Sequence, residues 1–429
     1  MDMTKLHAAS RRELLLASGA LFAWAYLPKV ALAEGRDPRL LVIVLRGALD
    51  GLAAVAPVGD PDWARLRGDK ALTLDGAVPA LALDSQFALN PAMPNFHRLY
   101  KAGQAIVVHA VATPYRERSH FDGQDVLESG FGKPGLTDSG WLNRALAALE
   151  PAGRAEAKPH NAFAVGPVTP LVVRGPAPVL SWTPPRLAPA ADDTVTRLLD
   201  LYRHTDVPLA RVLEERMGLA AIAKAGGMDQ PMKPGRPAAG GEQPAGGAQS
   251  PPGGAPRVRA YFAETAGAAA KFLARPDGPR IGALAFDGWD THADEGAANG
   301  RLAALLGALD GAIASIETEM GDAWRETAVA IVTEFGRTAR INGTEGTDHG
   351  TGTIALLAGG ALKGGRVVAD WPGLAQAKLF EGRDLKPTTD LRAVLKGLLR
   401  DHVRVPEKAL AESVFPDSAG VKPMNTLVA

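Results

Sequence analysis

Residues 39–46 read Arg-Leu-Leu-Val-Ile-Val-Leu-Arg, an unbroken apolar run between two arginines. A strand with one face in water alternates apolar and polar residues. A strand that is apolar at every position has to be covered on both faces, as in the middle of a parallel sheet. The same signature returns at 104–111, 281–286, 327–333 and 353–358. Helical patterns lie between these runs. Over 300–319, Leu302, Leu305, Leu306, Leu309, Ile313 and Ile316 fall on one helix face. A second helix is expected over 390–401, with Thr389 as its N-cap. Buried strands alternating with helices imply an α/β fold, a three-layer sandwich with a mostly parallel central sheet.

One region breaks the pattern. Residues 226–256 are rich in Gly, Pro, Ala and Gln and carry no apolar period. They read as a disordered insertion inside one domain spanning 34–429, because strands of the same apparent sheet flank them on both sides. The first 33 residues read as an address. Arg11-Arg12, an apolar stretch to Leu27 and Ala31-Leu32-Ala33 form a secretory signal of the twin-arginine type. The mature chain is expected from about Glu34, in the periplasm or outside the cell, with the export machinery as its first partner. No later stretch reaches the roughly 20 apolar residues of a membrane span.

Composition narrows the chemistry. The 429 residues include no cysteine, which excludes disulfides, thiolate metal sites, iron–sulfur clusters and thiol catalysis. Lys+Arg and Asp+Glu are both 47, without the basic excess of a nucleic-acid binder. Any metal has to sit on His, Asp, Glu or neutral oxygen donors. Gly130–Gly135 fits G-x-G-x-x-G but follows an expected helix and contains Pro134, so no dinucleotide is expected. Nor is a haem.

In open α/β sheets, ligands bind beyond the C-terminal ends of the strands. Asp50 follows the first run. Arg118, Ser119, His120 and Asp122 follow the second, and Asp287, Asp290 and His292 the third. Glu334 and Arg337 follow the fourth, and Asp348-His349 precede the fifth. One sheet edge carrying all of these groups suits metal-assisted phosphoryl or sulfuryl transfer. Structural roles are open for each. Ser119 with Asp122 spells a capping box, which starts a helix over 120–128. Asp50-Gly51 fits a turn, Asp290 with His292 and Asp348-His349 fit loop hydrogen bonds, and Glu334 with Arg337 fits an ion pair.

Five ordered motifs carry a family resemblance. They are Leu-Arg-Gly-Ala-Leu-Asp-Gly-Leu (45–52), Arg-Ser-His-Phe-Asp-Gly-Gln (118–124), Gly-Trp-Asp-Thr-His (288–292), Thr-Glu-Phe-Gly-Arg-Thr (333–338) and Gly-Thr-Asp-His-Gly (346–350). With the signal, they resemble the bacterial domain-of-unknown-function family numbered 1501, over most of the mature chain. The resemblance implies an alkaline phosphatase/sulfatase-like fold. It implies Ser119 as nucleophile and one metal on Asp290 or Asp287, His292 and His349. It implies a second metal on Asp50 and on an Asp-His pair that reads Glu334-Phe335 here. Phenylalanine cannot bind a metal, so His120 or Asp348 would have to replace it. One divalent ion (zinc, manganese or calcium) is therefore the expected cofactor, with Arg118 or Arg337 binding an anionic substrate. Three readings follow: an exported metal-dependent hydrolase of phosphate or sulfate esters, a non-catalytic binding protein of the cell envelope with an anionic ligand, or a metal-free serine hydrolase.

Overall fold

A computed structural model describes residues 36–149, 162–165, 169–177, 179–182, 192–211, 213, 214, 217, 254–276 and 278–429. The expected signal, residues 1–33, lies outside the described residues. So does the Gly/Pro-rich insertion, except for its last three residues, which open a helix.

The strands of the central sheet are β1 (Arg39–Arg46), β2 (Ala105–Ala112), β3 (Ala162–Val165), β4 (Val179–Trp182), β5 (Ile281–Asp287), β6 (Thr327–Thr333), β7 (Thr353–Ala358), β8 (Arg366–Val368) and β9 (Thr389–Asp390). Their order is β8-β2-β7-β6-β1-β5-β3-β4, with β9 also pairing β2. β7 pairs antiparallel with both β2 and β6; every other pairing is parallel. The five apolar runs are the five long strands, as their sequence requires. The four added strands are only two to four residues long and carry no pattern.

β1 shows why the sheet is buried twice. Leu41, Ile43 and Leu45 enter one hydrophobic core, and Leu40, Val42 and Val44 enter the other. Burying each such side chain contributes about 1.5–3 kcal/mol. The longer helices include α1 (Pro94–Lys101), α2 (His120–Ser129), α3 (Trp141–Leu149), α4 (Asp192–Thr205), α5 (Gly254–Ala274), α6 (Arg301–Met320) and α7 (Leu391–Leu398). Side chains of α1, α5 and α6 fill the first core, and those of α3 and α7 fill the second. The result is the expected three-layer α/β sandwich. All six apolar residues picked out along α6 are buried.

Two helix starts differ from the sequence reading. α7 is capped by Asp390, whose side chain accepts from Arg392 N, while Thr389 pairs in β9. Ser119 does hold the N-cap position of α2, but its side chain makes no capping hydrogen bond. Asp122 accepts instead from the Tyr115 hydroxyl at 3.2 Å. Among the described residues, no helix is long and apolar enough to cross a membrane.

Candidate metal centre

The loops leaving β1, β2, β5 and β6 gather at one edge of the sheet. β7 runs the other way, so the segment that precedes it, 347–350, arrives at the same edge. There Arg337 and His349 form an isolated antiparallel bridge, and Gly350 N donates to Gly336 O at 2.8 Å. Gly47, at φ 117°, presses against the same assembly. A Cβ on it would stand 2.6 Å from Asp290 N, so only glycine allows the β1 and β5 loops to meet.

Three imidazoles converge on Asp290. His292 Nε2 stands 3.0 Å from Asp290 Oδ1, His349 Nε2 3.3 Å and His120 Nε2 3.5 Å. His292 Nε2 and His349 Nε2 are 2.9 Å apart. Ligand atoms of His120, Asp290 and His349 all lie within 4.8 Å of one another. Each ring is fixed from behind through Nδ1. His120 Nδ1 meets Glu334 Oε1 at 2.9 Å, His292 Nδ1 meets Asp348 Oδ1 at 3.3 Å, and His349 Nδ1 meets Arg118 O at 2.9 Å. That is how proteins fix the tautomer and direction of metal-binding histidines. His120 also stacks on Phe335, with ring centroids 5.1 Å apart. Gly123 allows this, since a Cβ there would lie 2.9 Å from the Phe335 ring.

The electrostatics follow the geometry. Burial alone would lower the His120 imidazole, but Asp290 and Glu334 outweigh it and hold the group at about 9. Burial alone would raise Asp290; the three imidazoles and Arg337 hold it far below the carboxylate range. Glu334, pushed up by burial, is brought down by His120 and by backbone N–H groups. The donors fit a divalent ion. Zinc ligand atoms at the corners of a tetrahedron stand roughly 3.3 Å apart. The three imidazole–Asp290 separations are close to this, with His120, Asp290 and His349 the compact set and His292 beside Asp290 and His349. His120 Nε2 is buried without a hydrogen-bond partner, as expected of a nitrogen kept for a ligand. Three nitrogens to one oxygen favour zinc over calcium, which takes oxygen ligands.

Other expected site residues lie elsewhere or act otherwise. Asp50, expected as a metal ligand, is engaged elsewhere. Both its oxygens bind Arg67, at 2.6 and 3.1 Å, and Oδ1 also caps Ala53 N at 3.0 Å. Glu334 does not face the cluster's centre as a ligand. Its Oε1 accepts from Gly47 N and its Oε2 from Thr333 Oγ1, and it supports His120. Nor does it pair with Arg337. Asp287 is exposed at the end of β5, in register with Arg46, and the imidazoles face Asp290 instead. Asp348 supports His292 and is itself held by Asn342 Nδ2 at 3.0 Å. Arg337, expected to bind an anion, is buried, and all three of its nitrogens are engaged. Nη1 donates to Asp290 Oδ1 at 2.6 Å, Nε to Thr347 Oγ1 at 3.2 Å, and Nη2 to Thr347 O. Arg118 is likewise neutralised, by Asp384 at 2.8 Å and Glu381 at 2.5 Å. Its φ is 62°, and its carbonyl oxygen meets His349 Nδ1 at 2.9 Å.

Arg67, Thr347, Asn342 and Glu295 were not singled out from the sequence. Thr347 alone sits inside a motif that could have exposed it. Its Oγ1 donates to Glu295 Oε2 at 2.7 Å and accepts from Arg337. Its N–H donates to Thr291 O at 3.1 Å, tying the Asp290–His292 segment to the Asp348–His349 segment.

Fold and site together define a three-layer α/β protein with a His/Asp cluster beyond the sheet edge. The sequence matches the family described as "Protein of unknown function (DUF1501)" over residues 37–414, and the chain belongs to that family. No curated protein matches it. Partial structural likenesses include the phosphonate monoester hydrolase of Agrobacterium radiobacter, at 12% identity and TM-score 0.32, covering 77% of this chain and 70% of that one. Another is the C-terminal periplasmic domain of EcEptC from Escherichia coli, in complex with Zn, at 11% identity and TM-score 0.28, covering 76% and 74%. A third is Ps i-CgsB in complex with k-i-k-neocarrahexaose, at 11% identity and TM-score 0.34, covering 77% and 68%.

Proposed function

We propose that this chain is an exported hydrolase of phosphate or sulfate esters that works with one divalent ion, zinc by donor chemistry. His120, Asp290, His292 and His349 hold the ion and Ser119 attacks the ester. One observation carries this reading: three imidazole Nε2 atoms face a single carboxylate oxygen, each ring fixed through Nδ1. Such an ion, when bound, supplies Lewis-acid polarisation of an ester oxygen. Glu334, Asp348 and the Arg118 carbonyl keep the three rings aimed. The three imidazoles, and after them Arg337, keep Asp290 ionised. Ser119 stands next to His120 in the chain, and its side chain is not spent on capping. Its oxygen would bond to phosphorus or sulfur as the bond to the alcohol oxygen breaks, the hydroxyl proton passing to the departing alcohol. Water would then release phosphate or sulfate and restore the serine. Export by the twin-arginine route is part of the proposal, and fractionation of cells tests it.

Elemental analysis of the exported protein and of His349→Ala is the primary test. About one equivalent of zinc, lost in the variant, is expected. No metal in the wild type, with no uptake on titration, overturns the reading. Ser119→Ala should keep the metal and the melting temperature while losing turnover of an ester panel. Retained turnover removes Ser119 from the reaction. A second reading, a non-catalytic binding protein of the cell envelope, draws on Phe335. It packs against His120 where the family resemblance calls for another ligand. Metal and oxyanion binding without turnover of any ester favours it.

A further inference from the structure

Four arginines border the His/Asp cluster, and three are committed. Arg337 spends Nε, Nη1 and Nη2 on Thr347 and Asp290. Arg118 spends Nε and Nη2 on Asp384 and Glu381. Arg383 donates to Asp384 Oδ1 at 2.9 Å and to His349 O at 2.7 Å. Arg301, the first residue of α6, differs. It is partly buried, and its Nη2 makes one contact, 3.4 Å from Gly288 O, at the outer limit of a hydrogen bond. Its Nε is sealed from solvent without a partner. It has no ion-pair partner among the described residues. Gly288 lies two residues before Asp290, which puts this guanidinium beside the loop that carries the central carboxylate. Asp290 and Glu295 attract it through space and Arg337 repels it. An unmatched guanidinium N–H at such a place costs stability unless something completes it. The planar fork matches the oxygens of phosphate and sulfate.

We propose that Arg301 is the oxyanion-recognition residue of this site, binding the phosphate or sulfate group of the ester from the Gly288 side of the cluster. This rests on the metal-centre reading above and transfers to Arg301 the role expected of Arg118 or Arg337. The weak Gly288 contact is the one exchanged when the anion arrives.

The test is calorimetric titration of zinc-loaded protein with inorganic phosphate and with sulfate, for wild type, Arg301→Ala and Arg301→Lys. Zinc content and melting temperature are checked in each, and Arg301→Gln stands in if the alanine variant fails to fold. Wild type should bind at least one of the two anions. Arg301→Ala should weaken binding roughly 10- to 100-fold at unchanged zinc content, with partial recovery in Arg301→Lys. The anion bound more tightly identifies the ester class. Equal affinity in wild type and Arg301→Ala overturns the inference, as does a zinc-loaded wild type that binds neither anion. If the wild type holds no zinc, the metal-centre reading fails. The same titration on ion-free protein then decides Arg301 alone: weaker binding in the variant supports it, and equal or absent binding overturns it.

Discussion

Asp50 and Asp290 both follow long strands at the same sheet edge, and each is held by an arginine at 2.6 Å. Their surroundings make them opposites. The side chains of Asp50 and Arg67 are each 1% exposed, and both Asp50 oxygens are taken. Asp290 is 38% exposed, and three imidazole nitrogens aim at its Oδ1. The first arrangement is a closed ion pair whose hydrogen bonds are satisfied within the fold. The second gathers donor atoms around one carboxylate oxygen, as the proposed cation requires. Carboxylate and arginine do not make a site by themselves. Unspent lone pairs and an open side do.

The largest expected effect breaks the closed pair. Arg67→Ala strands a buried carboxylate and should cost about 3–5 kcal/mol. Denaturant melts read this, while zinc per folded molecule should not change. A loss of zinc without a loss of stability would mean that Asp50 belongs to the centre after all.

Imidazoles offer the same contrast, through pH. His109 accepts from Ala110 N through Nδ1 and therefore donates to Val55 O through Nε2, as a neutral ring. His402 bonds to Arg39 O. Burial, the larger influence in both, lowers each to about 4. The unfolded chain protonates these groups near pH 6.5 and the folded protein only near 4. Their contribution is therefore intact above 6.5 and lost as pH falls towards 4, up to about 3 kcal/mol each. Stability against pH for wild type and His402→Gln checks the sign; the variant should show the smaller acid loss.

Two smaller changes probe the open cluster without touching its donor atoms. Glu334→Gln keeps the shape but weakens the hold on His120, and zinc affinity should fall about 10- to 100-fold. Thr347→Val removes the hydroxyl between Glu295 and Arg337 and should weaken zinc by roughly tenfold, with Thr347→Ser restoring it. Unchanged zinc affinity in both would mean that the rings and Asp290 are aimed by packing alone.

How much of this was legible depended on whether the cause was local. The apolar runs of β1, β5 and β6 announce buried strands because two covered faces leave no position for a polar side chain. β3 and β4, four residues each, hold their places only by pairing with neighbours. His120, Asp290, His292 and His349 were all recognised as candidates. Nothing local separated them from Asp50, Asp287 and Glu334.

The sequence by itself determined the layered α/β architecture, the edge where the chemistry collects and the residue types available to it. Only the tertiary structure decided their roles. Arg67 reaches Asp50 from 17 residues away and Arg337 reaches Asp290 from 47. β7, by running against its neighbours, carries His349 back to the same edge. Whether a carboxylate is a ligand, a support or half of a closed pair depends on which donors have already taken its oxygens, and those donors arrive from distant parts of the chain.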